Sequence, residues 1–293
     1  MSQYLVLSHI SVQNANSIAG LTWGFPAITH FLGFTHALSR KVSTTYKGDY
    51  ETELVGCAVI AHDFEQHIYS NDRGYTHRFT QRKFGYTFKP KKDKGRQIDP
   101  SIIEEGKMNL TVSLVIELTE SLTLTMEQVK QFESLVRNYI SRMRLAGGTI
   151  LDIGHIKLLS ASTQEQKKQM LRKIKRLTMP GFALLDRSDY LDEHLQTLIA
   201  KADEQQSPTL MDAWLDFAAL KSKAVPLLKE GQAIADENTP AQWIYLPKPK
   251  IGYLVPLMTG YKAISDLYDA GEVLNTRDSE TNSCFVEAIH SVG

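Results

Sequence analysis

The sequence predicts an α+β fold: a ferredoxin-like domain of the β-α-β-β-α-β type with a long basic insertion, followed by a mostly helical region. Apolar and polar residues alternate over residues 109–118, as in a strand with one buried face. A capping box at Thr125 and Gln128 then opens a helix. About forty residues separate the second and third predicted strands, many more than a hairpin requires. This element order is that of the split β-α-β unit, which the RNA-recognition motif shares.

The first half of the domain contains a strand, a helix and a second strand. The first strand is predicted over residues 4–12, before a polar loop that contains glycine. A helix follows, with Pro26 as its first residue and apolar residues at helical spacing. The second strand is predicted over residues 54–62. In the third strand, alternation places these residues on the core side: Leu110, Val112, Leu114, Ile116 and Leu118. The polar residues of that strand, Asn109, Thr111, Ser113 and Glu117, face the other side.

The second helix is followed by a glycine pair and a fourth strand, which is predicted over residues 149–158. The helix carries an apolar stripe made of Met126, Val129, Phe132, Val136, Tyr139, Ile140 and Met143. Gly147 and Gly148 end it, and two interpretations of them are open. They form a helix C-cap, or they let the backbone approach a phosphate closely, with Arg142 and Arg144 adding charge. Taken alone, the motif favours the cap.

Two domains are predicted from this pattern. Residues 1–160 form the ferredoxin-like domain, with the insertion at about 68–105. Residues 161–293 are mostly helical to about residue 222, with short strands after an acidic linker around 230–239.

Composition limits the class of protein. The 293 residues carry a formal net charge of zero, so only local clusters of charge could indicate nucleic acid. Cys57 and Cys284 follow no metal-ligand pattern and fit a reducing compartment. The first residues lack a basic region and a cleavage site, and the most apolar stretch, residues 21–38, is interrupted by Gly, Pro and His. We therefore predict a soluble cytoplasmic protein without a membrane partner.

The insertion is strongly basic and aromatic. Residues 73–96 hold nine Lys or Arg and the single acid Asp93, with five aromatic residues interleaved. Aromatic rings stack on bases and cations neutralise phosphates. This favours RNA contact through Arg73, Arg78, Phe79, Arg82, Lys83 and Phe84. The alternative is a solvated loop whose aromatic residues pack on the body.

Two further stretches are candidates for RNA contact. Residues 165–177 form a basic helix with a narrow apolar stripe, and Lys173 and Arg176 are its candidate contacts. Such runs are often only solvated faces. The amides of Gln13, Asn14 and Asn16 either read base edges or hold a turn. We expect Trp23 to pack rather than to stack on a base.

Catalysis finds little support in the sequence. No histidine pattern matches a metal site, and neither G-x-S-x-G nor a P-loop is present. We predict no metal and no cofactor, and we interpret His36 as a core residue rather than a general base. An RNA-processing endonuclease would need His67 or His77 as general acid or base. A scaffold that contacts only protein is a third class.

Several long motifs then resemble one family in the same order along the chain. They are "SVQNANSIAGLTWGFPAITHFLGFTHALSR", "EEGKMNLTVSLVI", "RMRLAGGTIL", "LTMPGFALLDR", "LPKPKIGYLVPL" and "GEVLNTRDSETNSCFVE". They resemble the Csy-two family, the Cas-five-like subunit of the type I-F CRISPR surveillance complex, within the repeat-associated RNA-binding (RAMP) superfamily. The matches extend from about residue 10 to residue 287.

The resemblance implies a role as a non-catalytic antiviral-defence subunit. Members have a ferredoxin-like fold with a thumb, here residues 68–105, and a glycine-rich loop, here Arg144–Gly148. They hold the 5′ handle of CRISPR RNA (crRNA) in the Cascade, or Csy, complex, pair with the large subunit and abut the backbone subunit; any contact with target DNA would be indirect. The thumb is more basic here than expected, and members generally continue past the position of Gly293. Guide sequence, stoichiometry, interface residues and the use of the system, in cleavage or transposition, are left open.

Overall fold

The computed structural model describes most of the chain. The described ranges are residues 2–20, 22–45, 53–70, 77–83, 92–93, 96–97, 102–119, 121–202, 207–227, 239–251, 258–274 and 284–292. Two predicted contact residues, Arg73 and Phe84, and most of the predicted acidic linker lie outside them. The helices are α1 (Ile28–Thr45), α2 (Met126–Ile140), α3 (Gln164–Thr178), α4 (Ser188–Lys201) and α5 (Leu210–Ala218), with a 3₁₀ turn at Ala270–Glu272.

The described strands are mostly short. In chain order they are β1 (Ser2–Asn16), β2 (Ile18–Ala19), β3 (Thr22–Trp23), β4 (Leu54–Gln66), β5 (Ile68–Tyr69), β6 (Arg78–Lys83), β7 (Lys92–Asp93), β8 (Arg96–Gln97), β9 (Ile102–Glu105), β10 (Lys107–Leu118), β11 (Arg144–Leu145), β12 (Gly148–Ala161), β13 (Phe182–Ala183), β14 (Ser222–Pro226), β15 (Ala241–Tyr245), β16 (Met258–Ala263), β17 (Tyr268–Asp269), β18 (Cys284–Phe285) and β19 (Ala288–Val292).

The four long strands form the centre of one antiparallel sheet. Its order is β11-β12-β1-β10-β4-β13, and neighbouring strands pair antiparallel. Along the chain the long strands and first two helices follow the order β1-α1-β4-β10-α2-β12. The prediction of a mixed α+β fold is confirmed. All four predicted long strands are present, and each extends beyond at least one of its predicted ends.

The alternation in β10 has the predicted consequence. Its apolar residues, Leu110, Val112, Leu114, Ile116 and Leu118, are all buried. Helix α3 packs on the opposite face of the sheet, because Met170 lies in a cluster with Val6, Leu159 and Ala161. In β1, Val6 points away from the buried Leu5 and Leu7. The sheet therefore has one face buried along its length and one face that α3 covers at a single end.

Helix α2 begins as predicted and ends earlier. Thr125 and Gln128 exchange capping hydrogen bonds of 2.8 and 3.3 Å. The helix ends at Ile140 with Ser141 as its C-cap, so the prediction that the glycine pair caps the helix is wrong. The predicted stripe is also too long, since Met126 is 87% exposed. Arg137 donates to the carbonyls of Ile153 and Gly154, so α2 covers the edge of β12.

Two predictions for α1 need correction. The helix begins at Ile28, two residues after Pro26, because Ala27 still belongs to the connecting segment, where its carbonyl accepts from His30 N–H. His36 is exposed rather than a core residue, because the buried stripe of α1 runs through Phe31, Phe34 and Leu38.

The chain divides into two compact units. The first contains Met1–Leu184 and Leu257–Ser291, and the second contains Leu185–Pro256 and Val292–Gly293. In the second unit α4 packs on α5, which starts with a capping box at Thr209, and β14 pairs with β15. The boundary predicted at residue 160 stays a prediction.

Candidate nucleic-acid surface

The glycine pair lies in a tight hairpin between β11 and β12. Leu145 pairs with Gly148, so Ala146 and Gly147 form a two-residue loop. Their φ angles are 49° and 72°, and two consecutive positive φ values are typical of the type I′ hairpin turn. Gly147 therefore supplies the backbone conformation of a turn.

Gly148 has a different role. A Cβ at this position would lie 2.6 Å from the carbonyl oxygen of Gln13 and 2.8 Å from the amide nitrogen of Ala15. Neither backbone atom can move as a side chain could, so only glycine fits there. Gly148 therefore lets β12 lie close to the backbone of β1 in the same chain.

The end of β1 carries the three predicted amides. The register of β1 shifts on both neighbours in this region, and Asn14 has φ 56°. Gln13 and Asn14 are exposed. Asn16 holds the following turn, because its side chain donates to and accepts from Ile18 at 3.1 and 3.2 Å. The backbone N–H of Asn16 donates to the carbonyl oxygen of Ala146 at 2.7 Å.

The strand pairing brings these amides next to the arginine-flanked turn. Gln13 pairs with Thr149, which pairs with Arg144 on its other side. Arg142 and Arg144 are exposed, and neither forms an ion pair with a described residue. We call this group the hairpin end of the sheet: Gln13, Asn14, Asn16, Arg142, Arg144, Gly147 and Gly148.

The base of the predicted thumb lies beside the same end of β1. Strands β5, β6 and β9 form a three-stranded sheet, and Gly106, directly after β9, accepts from Ser17 N–H. Strand β6 contains four predicted contacts: Arg78, Phe79, Arg82 and Lys83. Arg78 is exposed, whereas Phe79 meets the Trp23 ring edge-on at 5.3 Å. Trp23 thus packs as expected, although it remains 43% exposed.

The other two predicted contacts lie elsewhere. Lys173 and Arg176 are on α3 and line a cleft of about 340 Å³ together with Gln169, Arg172 and Leu177. Five cations of α3 are exposed: Lys168, Arg172, Lys173, Lys175 and Arg176. The helix packs on Val6, seven residues along β1 from Gln13, which corresponds to about 23 Å at the rise of a strand. The structure therefore does not bring α3 together with the hairpin end.

Between these two ends, the uncovered face carries three rows of polar residues. Pairing places Asn109 opposite Glu65, then Thr111 opposite Asp63 and Ser11. Ser11 also pairs with Asp152. The other residues of these two rows border a cleft of about 190 Å³ that Gln13 also lines: Ser11, Asp63, Glu65, Asn109 and Thr111. The third row contains Ser113 and the histidines His9, His62 and His155. Three carboxylates therefore lie between the hairpin end and the histidines.

The histidine row was missed by sequence reasoning. His9 and His62 stack with ring centroids 4.1 Å apart, and burial lowers the pKa of His9, with His62 and His155 adding like-charge repulsion. Only the break that His9 makes in the alternation of the first strand could have indicated it. Within the described residues, no group of three or more His, Cys, Asp and Glu is placed to hold a metal ion, and no described helix is long and apolar enough to cross a membrane.

Comparison with known proteins gives a consistent result. The family model "CRISPR-associated protein (Cas_Csy2)" matches residues 5–293. The chain belongs to the Csy2 family. "CRISPR-associated protein Csy2" of Pseudomonas aeruginosa (strain UCBPP-PA14) is 35% identical over an alignment of 298 positions, which covers 99% of this chain and 85% of the relative. The family resemblance found in the sequence motifs is confirmed, and the chain is a protein of the CRISPR system.

Proposed function

We propose that this Csy2-family chain is a non-catalytic, cytoplasmic subunit of the type I-F CRISPR surveillance complex that binds the 5′ handle of CRISPR RNA and pairs with the large subunit, beside the backbone subunit. The carrying observation is the hairpin end, where exposed amides, a type I′ turn and two exposed arginines meet; within the described part of the chain, neither arginine has an ion-pair partner. Exposed amides can read base edges and arginines can bind phosphates.

The fold supports the same proposal. The order β1-α1-β4-β10-α2-β12, with sheet order β12-β1-β10-β4, fits the ferredoxin-like arrangement of RNA-binding modules. The three-stranded sheet β5-β6-β9 is inserted between β4 and β10, in the position of a thumb. Its exposed Arg78 is a phosphate contact in this proposal, and Arg82 and Lys83 follow on the same strand.

The non-catalytic assignment rests on the geometry of the serine–histidine pair. His62 Nε2 lies 2.6 Å from Ser113 Oγ, as a general base lies next to a nucleophile. However, Ser113 is fully buried, so no substrate atom reaches its hydroxyl. The pair therefore joins β4 to β10 within the sheet. The backbone N–H of His67 donates to the carbonyl oxygen of Lys107 beside the predicted thumb.

Purification of the tagged chain from its native host, followed by sequencing of the copurified RNA, tests the proposal. The expected result is a set of short RNAs that share one 5′ end derived from the CRISPR repeat. Mixed ribosomal fragments, or no RNA, would contradict it. Incubation of precursor RNA with the purified chain tests the non-catalytic part, because specific cleavage that His67→Ala or His77→Ala abolishes would favour an endoribonuclease.

A further inference from the structure

Two irregularities in the sheet place histidines on either side of its central strand. In β1 the register shifts between Leu7 and Ile10, so Ser8 and His9 together face Ser113. In β4 the register shifts so that Ala61 and Asp63 pair with consecutive residues of β10 and His62 is the extra residue. Such β-bulges redirect side chains and are common beside functional sites. Here one bulge brings the backbone N–H of His9 to Ser113, and the other brings the imidazole of His62 to it.

His62 is fixed at both ring nitrogens. Nδ1 lies 2.6 Å from the carbonyl oxygen of Pro180, which can only accept, so Nδ1 carries the hydrogen. Nε2 lies 2.6 Å from the hydroxyl oxygen of Ser113, within hydrogen-bond distance. The oxygen of that hydroxyl accepts in turn from His9 N–H at 2.9 Å. His62 is therefore held in one orientation by groups that contact both of its ring nitrogens.

Within the described residues, the His9 ring has no hydrogen-bond partner, unlike the His62 ring. It stacks on His62 with an interplanar angle of 16°, it is half-buried, and its ring nitrogens bond to no described residue. Its φ is 52°, a conformation that few residues other than glycine adopt. Gly154 gives the bulge room, since a Cβ there would lie 3.1 Å from the Ser8 carbonyl. Strained positions of this kind cluster at ligand sites.

The surrounding charges indicate which part of a nucleotide would meet this ring. Asp63, Asp152 and Glu65 lie on the same face toward the hairpin end, where they repel phosphates. Cations lie beyond them at the hairpin end and, on the other side, on α3. A strand of RNA that crosses this face would bind by its phosphates at the two ends and turn its bases toward the sheet between them.

We infer that His9, supported from behind by His62, is a stacking site for one base of the bound RNA strand. The inference rests on the proposed function and deepens it by naming where a base is held. Neutral imidazole offers a flat aromatic face, and every base has a complementary π-face. Ser113 and Pro180 act as positioning groups, because they hold the His62 ring on which His9 stacks.

The test measures binding of a synthetic RNA with the 5′-handle sequence to the full chain by fluorescence anisotropy. His9→Asn removes the ring but suits a positive φ, and it should raise Kd about 5- to 100-fold, as expected for the loss of one stacked base. His9→Phe keeps a ring and should stay within about threefold of the wild type. His36→Asn, on the exposed side of α1, is the matched control and should change nothing.

A set of RNAs with one abasic nucleotide each separates stacking from a structural effect. One abasic position should weaken binding to the wild type by the same factor as His9→Asn does, and should not weaken binding to His9→Asn further. Additive losses at every position, or an unchanged Kd for His9→Asn, would overturn the inference while leaving the proposed function intact. Failure of the wild type to bind the handle RNA would overturn both.

Discussion

The hairpin end of the sheet and the α3 end both expose cations, but their backbones differ. At the hairpin end, Asn14, Ala146 and Gly147 all have positive φ, and Gly148 lies against the backbone of β1. At the α3 end, a regular helix with a capping box at Thr163 presents its basic side to solvent. Under the proposed function, the hairpin end is a shaped site that distinguishes RNA features, whereas the α3 end supplies charge that attracts any phosphate backbone.

The largest expected effect concerns the attachment of α3. Met170 is 6% exposed in the cluster with Val6, Leu159 and Ala161. Met170→Ala should lower the free energy of unfolding by about 3 kcal/mol, because it removes buried volume that the cluster cannot refill. Urea unfolding measures this. Leu171→Ala is the control, since Leu171 is 55% exposed, and an equal loss in both variants would show that α3 packs differently.

The next effect concerns the hairpin end. Gly148→Ala should lower the free energy of unfolding by about 2 kcal/mol, since the new Cβ overlaps two backbone atoms of β1. Thermal or urea unfolding checks the value. Gly147→Asn, one residue away with open space around it, should be nearly neutral, because asparagine is accepted in type I′ turns. An unchanged free energy of unfolding in Gly148→Ala would mean that β1 and β12 lie farther apart.

Charge removal at the hairpin end should change the salt dependence of RNA binding. The double variant Arg142→Gln and Arg144→Gln should reduce the slope of log affinity against log salt by about 1.4, or about 0.7 for each lost phosphate contact on single-stranded RNA. Titrations over a range of salt concentrations measure it. A double variant of equal charge, Lys130→Gln and Lys201→Gln, should keep the slope. An unchanged slope in the arginine variant would remove both residues from the interface.

A smaller and less selective effect is expected on α3. The double variant Lys173→Gln and Arg176→Gln should weaken binding of handle RNA and of an unrelated RNA by the same factor, because phosphate contacts carry no sequence information. The ratio of the two Kd values therefore should not change. A loss confined to the handle RNA would show that α3 also distinguishes sequence and would remove the contrast between the two ends.

The histidine row should make folding pH-dependent. The pKa of His9 is lowered by burial and by the facing His62 and His155, so below the usual histidine pKa of about 6.5 the unfolded chain binds more protons. Stability from this group should thus be complete above about pH 6.5 and decrease as the pH falls toward the folded pKa. The difference in unfolding free energy between wild type and His9→Asn, measured at several pH values, should show this slope. A flat difference would contradict it.

Local patterns were predictable from sequence, whereas register was not. The alternation in β10 and the capping box at Thr125 depend on residues near in sequence, and both were confirmed. The role of Gly148 depends on β1, more than a hundred residues away, so the pattern around it suggested a helix cap instead. The stack of His9 on His62 needs two bulges in register. Bulges change pairing without a clear change in composition.

The most direct test of the account is RNA–protein crosslinking in the complex purified from the native host, with the crosslinked peptides located by mass spectrometry. The account predicts crosslinks to the 5′ handle in the peptides that contain residues 13–16 and 142–149, and weaker crosslinks in α3 that do not depend on the handle sequence. Handle crosslinks confined to α3, with none in the two hairpin-end peptides, would contradict it.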